Sequence, residues 1–346
     1  MRTTTIRDIA REVGVSGATV SRALNRSDRV APETAQRVWS SANRLGYVRN
    51  EVARNLVGGR TSSLAVIVPD ITNPFFPELV AGIEATANEY QNTLHLAQDN
   101  DKPQNAAELI NNLKGRQVRG FIVVGGQGYR HHGNLLDGVP HVVIDRPIDS
   151  TNAPVVRSDN RMGGYLATEH LISLGHREIL WIGGPADSAN NIERLAGLHD
   201  AFSTANLIIN TVIQRNGDYL EESGFNIVNR VLASGTTFTA IMAANDLMAI
   251  GALRALHESG KSVPEDVSVV GFDDIHLARY VNPGLTTIRQ QIAAMGRHSA
   301  LMLLDPRQAR SSSVPMSSGN YTFKVELVHR KTTGPANNSS ISMVSK

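Results

Sequence analysis

Between residues 64 and 274 one pattern recurs: a short apolar run that ends in polar residues, then an amphipathic stretch of helix length. The runs are LAVIVPD, TLHLAQD, GFIVVGG and HVVIDRP in the first half, and EILWIGG, FTAIMAAND and VSVVGFDD in the second. Segments such as FFPELVAGIEATANEY and DLMAIGALRALHESG stand between them. Parallel strands need long crossover connections, usually helices, so this alternation predicts parallel sheets with helices on both faces. Two sets of strands predict two lobes. Ligands of such sheets bind outside the carboxyl ends of the strands. Polar residues gather there: Asp70 and Asn73, Asp99, Asp145 and Arg146, Asp159 and Asn160, Asn245 and Asp246, Asp273 and Asp274.

A chain of 346 residues has length for two domains or more at roughly 150 residues each. Its 41% hydrophobic and 19% charged residues are those of an ordinary globular protein. No apolar run reaches the roughly 18 residues that cross a bilayer. The start, MRTTTIRDIAREVG, lacks the apolar core of a secretory signal, so a cytoplasmic protein without membrane contact is expected. With no cysteine, disulfides, thiolate metal sites and a cysteine nucleophile are excluded. Charge is divided unevenly. Residues 1–60 hold eleven arginines, no lysine and five carboxylates, whereas the remainder holds 23 basic and 27 acidic residues. A basic head on a mildly acidic body is the footprint of a nucleic-acid-binding module, although a solvated basic surface has the same charge.

In that head, Ile6, Ile9, Ala10 and Val13 make one apolar helix stripe that Gly14 ends. Ser16 can cap a second helix, which turns Ala18, Val20, Ala23 and Leu24 towards a core and leaves Gly17, Thr19, Ser21, Arg22 and Asn25 for other faces. A third helix starts at Pro32-Glu33-Thr34, passes Val38, Trp39 and Leu45 and stops at Gly46. Three short helices with a three-residue turn between the first two make a helix-turn-helix, whose second helix enters the DNA major groove.

The string TIRDIAREVGVSGATVSRALN, then V-x-P-E-T-x-x-R-V, then LGYVRNEVARNL resembles the DNA-binding head of LacI/GalR-type bacterial repressors. The resemblance continues to about Thr333. It implies an α/β protein: an N-terminal all-α helix-turn-helix head and a two-lobed, periplasmic-binding-protein-like body of parallel sheets flanked by helices. It also implies a homodimer on palindromic operator DNA, near the nucleoid. Gly17, Ala18 and Arg22 would occupy the base-reading positions, and Thr19, Ser21 and Asn25 would lie near phosphates. Thr5 and Ser16 belong to the same DNA-contacting set. Arg22 can pair with guanine in bidentate fashion, while Gly17 offers nothing and Ala18 only a methyl group; a solvated surface charge is the alternative for Arg22. Residues 50–57, NEVARNLV, resemble the family's hinge helix, with Asn50, Ala53, Arg54 and Leu56 at the DNA. Leu56 would wedge into the minor groove beside its twin; otherwise it is an ordinary core leucine. Arg49 stands where the family usually has proline.

The body is similar to periplasmic sugar-binding proteins, and the pocket most resembles that of ribose-binding proteins. Their motifs match Asn73-Pro74-Phe75-Phe76, Asp145-Arg146 and Ser158-Asp159-Asn160. Arg194, Tyr219, Asn245, Asp273 and Gln290 fill the remaining positions. The resemblance therefore implies an effector set of Asn73, Phe75, Phe76, Asp145, Arg146, Ser158, Asn160, Arg194, Tyr219, Asn245, Asp273 and Gln290. Such a set suits a pentose, with aromatic faces on the C–H side and polar groups on the hydroxyls. Each motif also occurs as scaffold whatever the effector, and Phe76 could be plain core. Asp246 and Asp274 read as the structural members of their pairs, and Asp159 as a helix cap.

The expected organisation is a DNA-binding domain over 1–49, a hinge and linker over 50–63, and an effector and dimerisation body over 64–333. The N-lobe takes about 64–160 with 290–322, the C-lobe 161–289 with 323–333, and 334–346 form a flexible tail. No G-x-G-x-x-G opening a helix, no phosphate-binding P-loop and no G-x-S-x-G occurs, so neither an enzyme nor a cofactor is expected. His131-His132 reads as an exposed pair, not a metal site. The tail lacks the leucine heptads of a tetramerising helix. Release by a sugar, dependence on a co-repressor or phosphocarrier protein, and a nucleoside or hexose effector remain open.

Overall fold

The computed structural model describes residues 4–25, 29–47, 61–125, 129, 133–146, 148, 152–317 and 319–337. The chain divides into two compact units, Met1–Thr61 and Ser62–Lys346. The hinge residues Asn50, Ala53, Arg54 and Leu56, the pair His131-His132 and the last nine residues lie outside the described residues.

In the first unit, α1 (Ile6–Val13), α2 (Gly17–Asn25) and α3 (Pro32–Arg44) pack around Ile9, Val13, Val20, Ala23, Leu24, Ala35, Val38 and Ala42. Gly14 ends α1 in the left-handed conformation, φ 74°, which only glycine adopts without steric cost. The Asp8 carboxylate accepts from the backbone N–H of Thr5 at 2.9 Å and from its hydroxyl at 2.7 Å. Ser16 caps α2, its hydroxyl accepting from the N–H of Thr19 at 3.1 Å. Arg37 donates to the carbonyl of Val13 at 2.7 Å and ties α3 to the end of α1. Trp39, expected along the third helix's apolar path, is 39% exposed, because Ala35, Val38 and Ala42 already fill the contact face.

The second unit begins with β1 (Ser63–Val68), α4 (Phe75–Glu89), β2 (Thr93–Gln98), α5 (Pro103–Gly115), β3 (Gly120–Val124), β4 (His141–Ile144) and β5 (Val155–Ser158). It continues through α6 (Asn160–Ser173), β6 (Ile179–Gly183), α7 (Ala189–Thr204), β7 (Val212–Asn216), α8 (Glu221–Ala233) and β8 (Ala240–Ala243). After these come α9 (Asp246–Glu258), β9 (Ser268–Asp273), β10 (Thr286–Arg289), α10 (Ile292–Leu304), α11 (Pro306–Arg310), β11 (Met316–Ser317), β12 (Asn320–Phe323) and β13 (Glu326–Val328). Two sheets result, in the orders β11-β12-β5-β4-β3-β1-β2 and β13-β10-β9-β8-β6-β7. All neighbours are parallel except β11 with β12 and β10 with β13. This is the mixed α/β architecture the alternation predicts. The strands missing from the apolar-run pattern, β5, β7, β10, β11, β12 and β13, are short or carry polar residues. The chain passes between the sheets three times, after β5, after β10 and between β12 and β13.

Each sheet is buried on both faces. Leu64, Val66 and Val68 face one cluster with α4 and α10, while Ala65 and Ile67 face another with α5. The C-terminal sheet centres on Trp181, Phe202 and Phe272. Residues 334–337, expected in a flexible tail, stay bonded to this lobe: Gly334 donates to the Ser268 hydroxyl at 3.0 Å and Ala336 to the carbonyl of Leu174 at 2.8 Å. The Ser268 side chain at the start of β9 and the carbonyl that follows α6 take them in, an arrangement that polarity alone does not signal.

Beside that segment lie two buried histidines, His170 and His176, with the exposed His329 against the first. The rings of His170 and His329 meet edge to face at 4.0 Å, and the His176 ring nitrogens lie 2.9 Å from the hydroxyls of Thr239 and Ser268. Burial, then the charges of His329 and His176, pushes His170 down to about 4. A folded-state proton affinity below the unfolded one contributes stability above about pH 6.5 that is lost as pH falls towards 4. Between about pH 7.5 and 5 this is worth about 2 kcal/mol. His170→Gln is expected to remove that share of the acid destabilisation in urea titrations at the two pH values; equal slopes for parent and variant would contradict it.

Candidate ligand-binding cleft and nucleic-acid interface

The carboxyl ends of both sets of strands face one cleft of about 400 Å³, within the range of small-molecule sites. Ten of the twelve expected effector residues line it: Asn73, Phe75, Phe76, Asp145, Arg146, Arg194, Tyr219, Asn245, Asp273 and Gln290. Ser158 and Asn160 are fully buried and are not among the lining residues. The Ser158 hydroxyl donates to the Met295 sulfur at 3.3 Å. Asn160 supports the cleft from behind, its Oδ1 accepting from Arg194 Nε at 2.8 Å.

Helix packing aims Arg194. A Cβ on Gly164 of α6 would stand 2.0 Å from the carbonyl oxygen of Arg194 on α7, so only glycine lets the helices meet this closely. The Arg194 guanidinium lies 3.6 Å from the Phe272 ring centroid and gives Nη1 to the carbonyl of Ala244. Across from it, Gln290 Nε2 donates to Asp273 Oδ1 at 2.6 Å. Burial drives the Asp273 carboxyl above the usual carboxylate range; Arg194 and the Gln290 amide oppose this, while Asp145 and Glu78 add to it.

Five lining residues take backbone conformations that L-residues rarely adopt: Asn100 and Asp101 at φ 55°, Asp145 at 77°, Tyr219 at 72° and Asp273 at 125°. Such strain persists only where surrounding bonds over-determine it. For Tyr219 those bonds are visible. Asn245 Nδ2 donates to its carbonyl at 2.9 Å, its hydroxyl shares a 2.9 Å bond with Ser188, and its ring fills the space a Cβ on Gly184 would need. Asp145 Oδ1, Arg146 Nε and Gln290 Oε1 are buried without a hydrogen-bond partner among the described residues. Buried polar atoms left so are costly, and three of them in one cleft fit a polar ligand. Phe75 and Phe76 meet edge to face at 5.2 Å and supply its apolar wall.

The second members of the Asp pairs hold the scaffold. Asp246 accepts from the Thr287 hydroxyl and, at 2.9 Å, from the N–H of Ile275. Asp274 is paired with Arg289 at 2.7 Å and with Arg330. Asp159 caps α6 by accepting from the N–H of Met162 at 3.0 Å. Sequence reasoning missed Asn190, Gln98, Asn100, Asp101, Asp218 and Leu220, which also line the cleft. Asn190 had a signal, one helical turn before Arg194. Gln98 closes β2, and Asn100, Asp101, Asp218 and Leu220 sit on the loops after β2 and β7.

On the head, Arg22 and Ala18 of α2 are exposed, and Gly17, Thr19 and Ser21 are half-buried. Ala18 thus leaves the core side to Val20, Ala23 and Leu24, since helical spacing from Val20 places it on the opposite face. Thr5 and Ser16 are exposed at the starts of α1 and α2; the side chain of Asn25 lies outside the description. Among the described residues no cluster of His, Asp or Glu could hold a metal ion, and no helix is long and apolar enough to cross a membrane.

A helix-turn-helix unit followed by a two-lobed α/β body with a polar cleft defines a ligand-responsive DNA-binding regulator. Residues 5–50 match the model of bacterial regulatory proteins of the lacI family, and residues 168–333 that of the periplasmic binding protein-like domain. The chain belongs to the LacI family of bacterial transcriptional regulators. It is 32% identical over 340 residues to the ribose operon repressor of Halalkalibacterium halodurans, covering 97% of this chain and 99% of that one. It is 34% identical over 295 residues to the HTH-type transcriptional repressor PurR of Histophilus somni, covering 84% and 89%. The structure of the Lac repressor dimer bound to operator and the anti-inducer ONPF superposes with a TM-score of 0.85 at 31% identity, covering 96% of this chain and all of that one.

Proposed function

We propose that this protein is a repressor of carbohydrate-uptake or catabolic genes, released from a palindromic operator by ribose or a closely related pentose. The observation that carries the reading is the convergence of Asn73, Phe75, Asp145, Arg146, Arg194, Asp273 and Gln290 on one cleft holding buried, unpartnered polar atoms. The likeness to a ribose operon repressor over nearly the whole chain supports it. The protein works by binding, not catalysis, in the cytoplasm and as a homodimer, since a palindromic operator calls for two-fold symmetry. Domain limits follow the sequence proposal: head over 1–49, hinge over 50–63 and body over 64–333. Isothermal titration against pentoses, hexoses, nucleosides and purine bases tests the reading. Ribose is expected to bind tightest; a purine base binding tighter would overturn the pentose assignment and favour a relation to the PurR-type repressors.

On DNA, Arg22 is the residue of the reading helix with a side chain suited to guanine. Arg22→Ala is expected to cost about 1–3 kcal/mol at one base-pair position per half-site. Gel shifts on an operator series substituted position by position check this; uniform weakening on every sequence would make Arg22 a phosphate contact instead.

A further inference from the structure

Charge in the cleft is unbalanced. Asp70, Asp101, Asp145, Asp218 and Asp273 line it against Arg146 and Arg194. Arg194 is largely committed, Nε to Asn160, Nη1 to Ala244 and its face to Phe272. Backbone N–H groups at helix starts are an ordinary phosphate cradle, yet three of the helices that open at this cleft fill theirs with their own side chains, and α8, which enters through Leu220 without a side-chain cap, carries Glu221 and Glu222 in its first turn. The N–H of Phe75 donates to Asn73 Oδ1 at 3.1 Å, that of Asn191 to the Ser188 hydroxyl at 3.5 Å, and that of Met248 to Asn245 Oδ1 at 3.0 Å.

The unpartnered atoms add an independent sign. Two of the three unpartnered atoms, Gln290 Oε1 and Asp145 Oδ1, are buried acceptors without a donor among the described residues, against one donor, Arg146 Nε, and Gln290 is 4% exposed. Sugar hydroxyls donate; a phosphate dianion only accepts. A cleft of about 400 Å³ has room beyond a single pentose ring, so exclusion of a larger ester is a matter of charge and not of space.

We propose that the cleft selects the free pentose and rejects its phosphate ester, so that the protein reports the unphosphorylated sugar pool. The inference rests on the pentose reading of the same cleft. Calorimetry on the full chain at about pH 7.5 compares D-ribose, ribose 5-phosphate and the neutral 5-O-methyl ribose, on the parent and on Asp70→Asn/Asp101→Asn/Asp218→Asn. The ester, carrying nearly two negative charges there, is expected to bind at least about 100-fold more weakly than ribose, and the triple variant to close that gap by about tenfold. The methyl ether is expected to bind within about tenfold of ribose. An ester within about threefold of ribose, a methyl ether rejected as strongly as the ester, or a gap unchanged in the triple variant would each overturn the selectivity while leaving the pentose reading intact. Binding of none of the three would overturn the pentose reading itself.

Discussion

Replacing Arg194 with alanine is expected to lower ribose affinity by at least about 100-fold while leaving operator affinity unchanged, because breaking a buried charged network typically costs about 3–5 kcal/mol. Arg194 is 4% exposed, and its positive charge opposes the burial and the Asp145 charge that raise the Asp273 carboxyl. Without it those two carboxylates face each other across the cleft, and Asn160 Oδ1 loses its donor. Arg194→Lys separates charge from shape. Lysine keeps the charge but cannot stack on Phe272 and bond Asn160 at the same time, so it should recover only part of the affinity. Since the head is a separate compact unit, both variants should still fold onto operator DNA and repress without release. Calorimetry and gel shifts on the same preparations decide the matter. Ribose binding to Arg194→Ala as tight as to the parent would move the sugar site elsewhere.

Ribose is expected to weaken operator binding by about 5- to 150-fold, the range of typical allosteric coupling. A ligand shifts an equilibrium only by its differential affinity for the two states. Here the states are arrangements of two lobes joined by three chain crossings. The Arg157–Glu193 ion pair at 2.7 Å ties β5 of one lobe to α7 of the other, and Gln291 Nε2 donates to the carbonyl of Lys324 at 3.2 Å between two of the crossings. A sugar that favoured one arrangement would act on operator binding through the segments that join the lobes to the head. Reciprocity gives the sharper measurement: operator DNA must lower sugar affinity by the same factor. Leu56→Ala should weaken operator binding and leave the sugar affinity of the free protein unaltered. If operator raised the sugar affinity, the pentose would act as a co-repressor and the sign would be reversed.

How far each feature could be read from the chain depends on how local its cause is. Helix starts and stops in the head follow from neighbours in sequence, such as Gly14 at φ 74° and Ser16 capping Thr19. Strands buried on both faces announce themselves as apolar runs, and the residues at their carboxyl ends reach the cleft because parallel sheets put those ends together. The polar residues at Asn73, Asp145 and Asp273 were legible for that reason, whereas Arg194, inside α7, was reached only through the resemblance to ribose-binding proteins. Edge or polar strands such as β7 and β5 were not, because their burial depends on a partner far along the chain.

The chain already marked Asp246 and Asp274 as the structural members of their pairs; what only the tertiary structure decided is which partners each motif residue holds. Asp273 faces the cleft and Asp274 holds Arg289 and Arg330; one residue's difference in register sends the two side chains to opposite jobs. Ser158 and Asn160 share a motif with no hint that both turn inward, one to Met295 and one to Arg194. The left-handed backbones of Asp145 and Tyr219, and the carboxylates of Asp101 and Asp218 at the cleft wall, arise from contacts between segments distant in sequence. Composition and periodicity act through the nearest few residues and determined the elements and their order. Side-chain direction at the cleft is set by packing between lobes, which no local pattern carries.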